Sequence, residues 1–102
     1  RAPPRVPLLE VTPEDSLQAA RRLLADAVGP AGLPPLVLNM ANATWVGGGF
    51  LRGASGQEEE LCRCSNLFPL LMEAARAGGF PLPELGSIVL PEVAVFRERR
   101  EE

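Results

Sequence analysis

The apolar positions of the chain fall into short runs separated by prolines, glycines and charged residues. Four of these runs are rich in branched or aromatic side chains and are candidates for β-strands. They are residues 6–11, 36–41, 87–90 and 93–96, and we expect one or both of the last two to be strands. Pro7 marks the first run as an edge strand, because proline cannot donate a ladder hydrogen bond. The second run, bounded by Pro35 and Asn42, predicts a buried central strand.

Between the first two runs, apolar residues recur at intervals of three and four, which predicts an amphipathic helix. These residues are Leu17, Ala20, Leu24 and Ala27. Thr12 is predicted to cap this helix and Pro13 to take its first position, because the threonine oxygen can accept a backbone N–H there and proline has none to satisfy. The pair Gly29-Pro30 is predicted to end it.

A second helical region follows the acidic cluster near the middle of the chain. Ser55 and Glu58 have the spacing of a capping box. The apolar residues that follow at helical spacing are Leu61, Cys64, Leu67 or Phe68, Leu71, Met72 and Ala75. Because Pro69 lies within this pattern, we expect two helical pieces that meet at residues 66–68. Gly78 and Gly79 are predicted to end the second piece.

This order of elements, β-α-β-α-β, predicts an α/β layered fold with parallel strand pairing. A doubly wound sheet usually has five or more strands, whereas this pattern offers three or four. We therefore expect residues 1–102 to form a single, partial domain.

Composition narrows the function further. Ten basic and thirteen acidic residues give a net charge of -3, so the chain lacks the basic excess that nucleic-acid binding needs. There is no histidine, which excludes a histidine base and every histidine-ligated metal site. Cys62 and Cys64 are too close in sequence for a good disulfide and too few for a zinc site, so we expect two reduced thiols. No apolar run approaches the ~20 residues of a membrane span. We expect a soluble intracellular protein, cytoplasmic or nuclear, with no membrane partner.

The stretch VGGGFLRGASGQEEEL, residues 46–61, places three glycines just ahead of the densest acid cluster. Gly47, Gly48 and Gly49 come soon after the predicted central strand, and glycines let backbone N–H groups approach a ligand closely. Ligands of α/β sheets bind beyond the carboxyl ends of the strands. A plain turn also accounts for the glycines, so both interpretations stay open.

The acids also have two interpretations. As helix-start residues, Glu58, Glu59 and Glu60 would interact favourably with the helix dipole, and Glu59 would form an exposed ion pair with Arg63. Alternatively, one carboxylate transfers a proton. Consecutive helical side chains point ~100° apart, so Glu58 and Glu59 cannot act as equal partners on one bond. A general acid also needs a raised pKa, which would require burial or a nearby anion such as a diphosphate.

Two asparagines lie in or beside the second apolar run. Asn39 falls inside it and Asn42 directly follows it. A buried amide must find hydrogen-bond partners, so each is either a loop cap or a ligand contact.

Residues 41–71, ANATWVGGGFLRGASGQEEELCRCSNLFPLL, resemble the signature region of the poly(ADP-ribose) glycohydrolases of the microbial type. That family carries three glycines, six to eight further residues, and then Gln-Glu-Glu. Here seven residues, 50–56, separate the two parts. The preceding LNMANA, the late VAVF run, and the N-terminal strand and helix are also similar. The resemblance covers residues 7–97 as element order and 36–71 as recognisable sequence.

The resemblance implies a macrodomain-like layered fold with a mixed, largely parallel sheet that binds ADP-ribose. It implies hydrolysis of the ribose–ribose O-glycosidic bond of poly(ADP-ribose), with Glu59 as general acid and then general base. The implied substrate-binding residues are Asn42 at the distal ribose, Gly47, Gly48 and Gly49 along the ribose and diphosphate, Glu58 at the ribose hydroxyls, and Gln57, which would help to orient the two acids. No metal and no redox cofactor is implied. The alternatives are a non-catalytic ADP-ribose-binding module and an inactive fragment of such an enzyme.

The chain also departs from the family pattern. The family has a second glycine-rich, diphosphate-binding loop and further strands after the VAVF run. We therefore expect residues 1–102 to be the N-terminal part of the catalytic domain, with a complementary C-terminal segment of the same domain as a partner besides poly(ADP-ribose). Trp45 precedes Val46 where many microbial members have a proline-containing form. Its indole packs in the core or lines the adenosine or ribose site, and core packing is favoured.

Overall fold

The fold is known from a computed structural model that describes residues 9–26 and 33–98. Within these ranges the chain forms three α-helices and one 3₁₀ turn. They are α1 (Ser16–Ala25), the 3₁₀ turn (Phe50–Arg52), α2 (Gln57–Cys64) and α3 (Leu67–Arg76). None of these helices combines the length and the apolar character that a bilayer crossing needs.

Helix α1 begins later than its sequence suggests. Asp15 is the N-cap, since its Oδ1 accepts the Gln18 N–H at 2.8 Å and the Gln18 Oε1 accepts the Asp15 N–H at 2.9 Å. This reciprocal capping box satisfies two backbone donors at once. Thr12 instead donates its hydroxyl to Glu14, so the prediction of Thr12 as cap and Pro13 as first helical residue is wrong. The predicted stop at residues 29–30 lies outside the described ranges.

The predicted break in the second helical region is confirmed. Helix α2 ends at Cys64, α3 begins at Leu67, and the Ser65 hydroxyl connects them by donating to Leu61 O and accepting from the Leu67 N–H. Pro69 is the third residue of α3, where an N–H would have no partner within the helix. Gly78, at φ +89°, follows the end of α3 as predicted.

The core is formed mainly by the buried faces of α2 and α3. Its buried residues are Leu61, Cys62, Leu67 and Leu71, with Leu17, Val46, Phe50, Phe68, Phe80 and Leu90 packed around them. The rings of Phe50 and Phe68 are 5.0 Å apart, which anchors the segment after the three glycines onto α3. The core therefore fixes the position of that segment relative to the start of α2.

The predicted sheet is not confirmed in the described residues. A single antiparallel bridge joins Ser65 to Val95, so the run 93–96 pairs with the α2–α3 junction instead of with a strand. Residues 36–41 carry no ladder, and Leu36 and Leu38 are 90% and 78% exposed. The prediction of a buried central strand is therefore wrong for this chain. An apolar run becomes a buried strand only where neighbouring strands and a covering layer are present.

Candidate active site

The glycine loop, residues 46–56, makes a tight double turn. Gly47 and Gly48 have φ values of +72° and +60°, a region in which side chains other than glycine are strained. The Gly48 N–H donates to Trp45 O at 2.9 Å, and the Phe50 N–H donates to Gly47 O at 3.1 Å. These turns aim the intervening Gly49 N–H at the start of α2.

The Glu59 carboxylate accepts the hydrogen bond from that N–H. The Gly49 nitrogen lies 2.8 Å from Glu59 Oε2. A methyl group on Gly48 would overlap Glu59 Oε2, and one on Gly56 would overlap Glu59 Oε1. The carboxylate is therefore enclosed between two glycines, and the plain-turn interpretation does not account for this close approach.

The pKa of Glu59 lies below its ordinary value of 4.5. The main cause is the hydrogen bond from the Gly49 N–H, with its own and the Gly56 backbone N–H and the charge of Arg63 acting in the same direction. Partial burial opposes the shift without reversing it. The raised pKa that a general acid needs is thus not a property of the ligand-free site.

Glu58 occupies a different environment. Its side chain is 3% exposed, its Oε2 accepts from Asn39 Nδ2 at 3.0 Å, and its Oε1 accepts from the Asn42 N–H at 2.8 Å. The predicted capping box with Ser55 is wrong, because the N-cap of α2 is Gly56 and the Glu58 carboxylate is engaged by these long-range donors. The two adjacent acids therefore have separate surroundings, as their angular separation on the helix requires.

Asn42 and Asn39 both shape the site, in different ways. The Asn42 Oδ1 accepts the N–H groups of Thr44 and Trp45 at 2.9 and 2.8 Å, so the loop-cap interpretation is correct for its oxygen. Asn39 orients Glu58, and its own Oδ1 is buried without a hydrogen-bond partner among the described residues. The sequence signal for Asn39 was its polarity inside an apolar run, but the family resemblance did not select it.

Gln57 points away from the two acids. Its Nε2 donates to Leu38 O at 2.8 Å and to Ser16 Oγ at 3.3 Å, and its Oε1 accepts the Met40 N–H at 2.8 Å. The side chain thus pairs with the backbone of residues 38–40 as a neighbouring strand would. Gln57 influences the acids by holding the segment that carries Asn39 and Asn42.

Arg63 pairs with the third acid of the cluster. Its Nε and Nη2 donate to Glu60 Oε2 at 3.1 and 2.6 Å, so the predicted ion pair with Glu59 is replaced by one with Glu60. Its Nη1 donates to Ala54 O in the glycine loop at 2.8 Å. Arg63 therefore connects α2 to the end of this loop.

The two cysteines, Cys62 and Cys64, lie on the buried part of α2. Both are free and buried, and burial raises the pKa of the Cys62 thiol to about 11, with the charges of Glu58 and Glu59 adding to the effect. A thiol with so high a pKa is a poor nucleophile at neutral pH. The cysteines of the described chain thus act as small core residues.

Trp45 is 66% exposed, so the favoured prediction of core packing is wrong. Its position is set by the cap from Asn42, three residues earlier. A cavity of about 270 Å³ lies elsewhere, between the N-termini of α1 and α2, and is lined by residues that include Asp15, Ser55 and Gln57. Neither Glu58 nor Glu59 lines it, so the geometry of the carboxylates, and not this cavity, defines the candidate site.

Substituting Gly48 by alanine tests the close approach to Glu59. We expect Gly48→Ala to destabilise the chain by ~1–2 kcal/mol from backbone strain, with a further loss because the new methyl group displaces the Glu59 carboxylate. Gly78→Ala is the matched control, since Gly78 also has a positive φ but has open space around its Cα. Urea unfolding measures both variants, and equal losses would contradict a special constraint at Gly48.

Comparison with known proteins identifies the family of this chain. No curated protein and no solved structure gives a significant match to the chain. A protein-family match does extend over residues 2–98, nearly the whole chain, and the matched family is described as the microbial-type PARG, catalytic domain, where PARG denotes poly(ADP-ribose) glycohydrolase. The glycine loop and the two acids lie inside the matched region. The chain therefore belongs to the family of microbial-type PARG catalytic domains.

Proposed function

We propose that this chain carries the catalytic acid of a glycohydrolase that cleaves the ribose–ribose O-glycosidic bonds of poly(ADP-ribose) and releases ADP-ribose. One observation carries the proposal: of two adjacent glutamates, Glu58 is buried and held by two donors, whereas Glu59 lies under the glycine loop in a partly exposed position. Adjacent carboxylates in different environments can take different roles in glycoside chemistry.

In this proposal Glu59 protonates the leaving ribose oxygen as an oxocarbenium-like transition state forms. It then takes a proton from the attacking water. One carboxylate performs both proton transfers, unlike the flanking pair that most glycosidases use. The contact between the Gly49 N–H and Oε2 keeps the orientation of the carboxylate fixed and leaves the Oε1 oxygen nearer to Gly56.

The lowered pKa of Glu59 places a condition on this mechanism. A carboxylate that is ionised in the ligand-free chain has to take up a proton before it can act as an acid. A substrate diphosphate near the glycine loop would raise the pKa by like-charge repulsion, so substrate binding and protonation would be coupled. The same lowered pKa favours the second candidate function, an ADP-ribose-binding module without catalysis.

The neighbouring residues would bind substrate. A carboxylate has about four lone-pair positions, so Glu58 can hold its two internal donors and still accept ribose hydroxyls. Asn42 uses its oxygen within the loop, which leaves its Nδ2 to donate to the distal ribose. The exposed indole of Trp45 would contact the adenosine or ribose of the same polymer.

The apolar segment before the site supports the expectation of a complementary segment from the same domain. Leu36, Leu38 and Met40 alternate along the chain and are 90%, 78% and 73% exposed, while Asn39 between them faces Glu58. One side of the segment thus supports the site and the other presents a row of apolar side chains to solvent. A covering C-terminal segment would bury this row and complete the substrate pocket.

The chain contains one tryptophan and no tyrosine, so its intrinsic fluorescence reports on Trp45 alone. We expect added ADP-ribose to change the intensity of this emission, and labelled poly(ADP-ribose) to be converted to free ADP-ribose. Binding with no release would support the module over the enzyme. If neither is seen, both candidate functions are excluded for residues 1–102 by themselves.

A further inference from the structure

We propose that Arg63 is a positioning residue for Glu59: by fastening the end of the glycine loop to α2, it holds the Gly49 N–H against the Glu59 carboxylate. The inference concerns the same site as the proposed function and rests on it only for its consequence in catalysis. Among the described residues Arg63 donates to Glu60 and Ala54 but not to Glu59, so its positioning effect passes through the loop, beside the direct effect of its charge on the Glu59 pKa.

The loop between the two attachment points behaves as one unit. The Ala54 N–H donates to Gly49 O at 3.1 Å, and the Gly53 N–H donates to Phe50 O at 3.2 Å. A methyl group on Gly49 would lie 2.6 Å from the Ala54 Cβ, so the two ends of this unit are already in close contact. A displacement of Ala54 is therefore transmitted to Gly49.

Two polar links tie this unit to α2. One is the Gly49 N–H to Glu59, and the other is Arg63 Nη1 to Ala54 O, both at 2.8 Å. The guanidinium is held in place because its other two donors engage Glu60 Oε2. The planar fork of arginine can make both sets of bonds at once, which a lysine ammonium cannot do in the same geometry. The arrangement therefore depends on arginine specifically.

The charged surroundings of Glu59 make the effect measurable. On α2 its neighbours are Glu58, Glu60 and Arg63, while the 3₁₀ turn packed against α2 carries Arg52, and α3 carries Glu73 and Arg76. Loss of Arg63 removes a positive charge and, through the loop, the Gly49 hydrogen bond. Both changes raise the pKa of Glu59 towards 4.5.

The test uses NMR of the whole chain with ¹⁵N backbone and ¹³C carboxyl labels. In Arg63→Met we expect the Gly49 amide proton to move upfield as its hydrogen bond is lost, and the Glu59 titration midpoint to rise. Arg63→Lys keeps the charge and should restore the titration in part but not the Gly49 amide position. Arg76→Met, an exposed arginine at the end of α3, is the matched control and should leave both signals unchanged.

The kinetic counterpart is a loss of kcat of ~10–100-fold in Arg63→Met with a smaller change in KM, because a displaced catalytic group lowers the rate more than binding. An unchanged Gly49 amide and Glu59 midpoint in the folded variant would overturn the proposal. If Arg63→Met fails to fold, the same two signals in Arg63→Lys decide the question. Shifts at Gly49 and Glu59 in a chain that releases no ADP-ribose would support the positioning role while refuting the proposed hydrolysis.

Discussion

Replacing Glu59 by glutamine is expected to reduce the release of ADP-ribose from poly(ADP-ribose) by ~10²–10⁴-fold, the usual range for the loss of one general acid–base group. Glutamine keeps the shape of the side chain and an oxygen that can accept the Gly49 N–H, but it cannot exchange a proton at pH 7. The expected signature is a loss in kcat with the affinity for ADP-ribose largely retained. Trp45 fluorescence measures that affinity independently of turnover.

The control for this substitution is Glu73→Gln. Glu73 lies on the exposed face of α3 and has no role in the glycine loop, yet its substitution changes the net charge equally. A common loss of activity in both variants would point to a general effect of charge. Full activity in Glu59→Gln would exclude Glu59 as the proton donor and assign the hydrolysis to another group.

A stability measurement gives a second view of the same residue. Because hydrogen bonding lowers the folded-state pKa of Glu59, its ionised form contributes stability above the unfolded-state pKa, near 4.5, and this contribution is lost as pH falls through the lower folded-state value. The pKa of Glu14, which pairs with Arg22 of α1, is also lowered, so the contribution of ionised Glu14 to stability is lost in the same acidic range. Only the part that disappears in Glu59→Gln belongs to the site.

Local signals in the sequence identified the helices and the site region well. The apolar spacing and Pro69 placed the break between α2 and α3, because both features act within one or two helical turns. The family resemblance, carried by the spacing of the glycines and acids, selected Glu59, whose carboxylate accepts the Gly49 N–H in the structure. The start of α1 was missed because two capping motifs compete there, and the reciprocal pair Asp15 and Gln18 satisfies more donors than Thr12 alone.

Contacts between residues distant in sequence determine the partners of Glu58 and Gln57, which the sequence does not predict. Glu58 has the spacing of a capping residue, yet its carboxylate is taken by Asn39 and Asn42, which lie 19 and 16 positions earlier. The Gln57 side chain likewise points away from the two acids and pairs with the backbone of residues 38–40. The spacing of apolar residues does not predict such partners, because they depend on how the segment before the loop packs on α2.

The absent sheet has a similar physical origin. The pattern of residues 36–41 predicts a buried strand, whereas Leu36, Leu38 and Met40 are exposed and Asn39 contacts Glu58. Whether such a segment becomes a buried strand depends on elements that pack against it. Its apolar side is open here, which is why the strand prediction was wrong and why we propose a covering segment.

The second large effect is expected at Glu58. In Glu58→Ala, the Asn42 N–H and the Asn39 Nδ2 lose their hydrogen-bond acceptor. The residue that is replaced is 3% exposed. Two hydrogen bonds to this carboxylate are lost at ~1–3 kcal/mol each, so we expect a loss of about 2–6 kcal/mol in the free energy of unfolding, measured with urea. For a chain of this size that is a large share of the total stability.

Glu58→Gln separates the charge of this residue from its hydrogen bonds. The glutamine oxygen can still accept the Asn42 N–H, and its Nε2 would face Asn39. Because the Asn39 Oδ1 has no partner within residues 9–26 and 33–98 of the wild type, that amide can turn over and accept the new donor. We therefore expect Glu58→Gln to lose less than Glu58→Ala, on the order of 1–3 kcal/mol, because the turned amide places its Nδ2 where the Asn39 oxygen had no partner. In an Asn39→Ala background this compensation is impossible, so the loss from Glu58→Gln should grow there. An unchanged loss would show that Asn39 does not support Glu58.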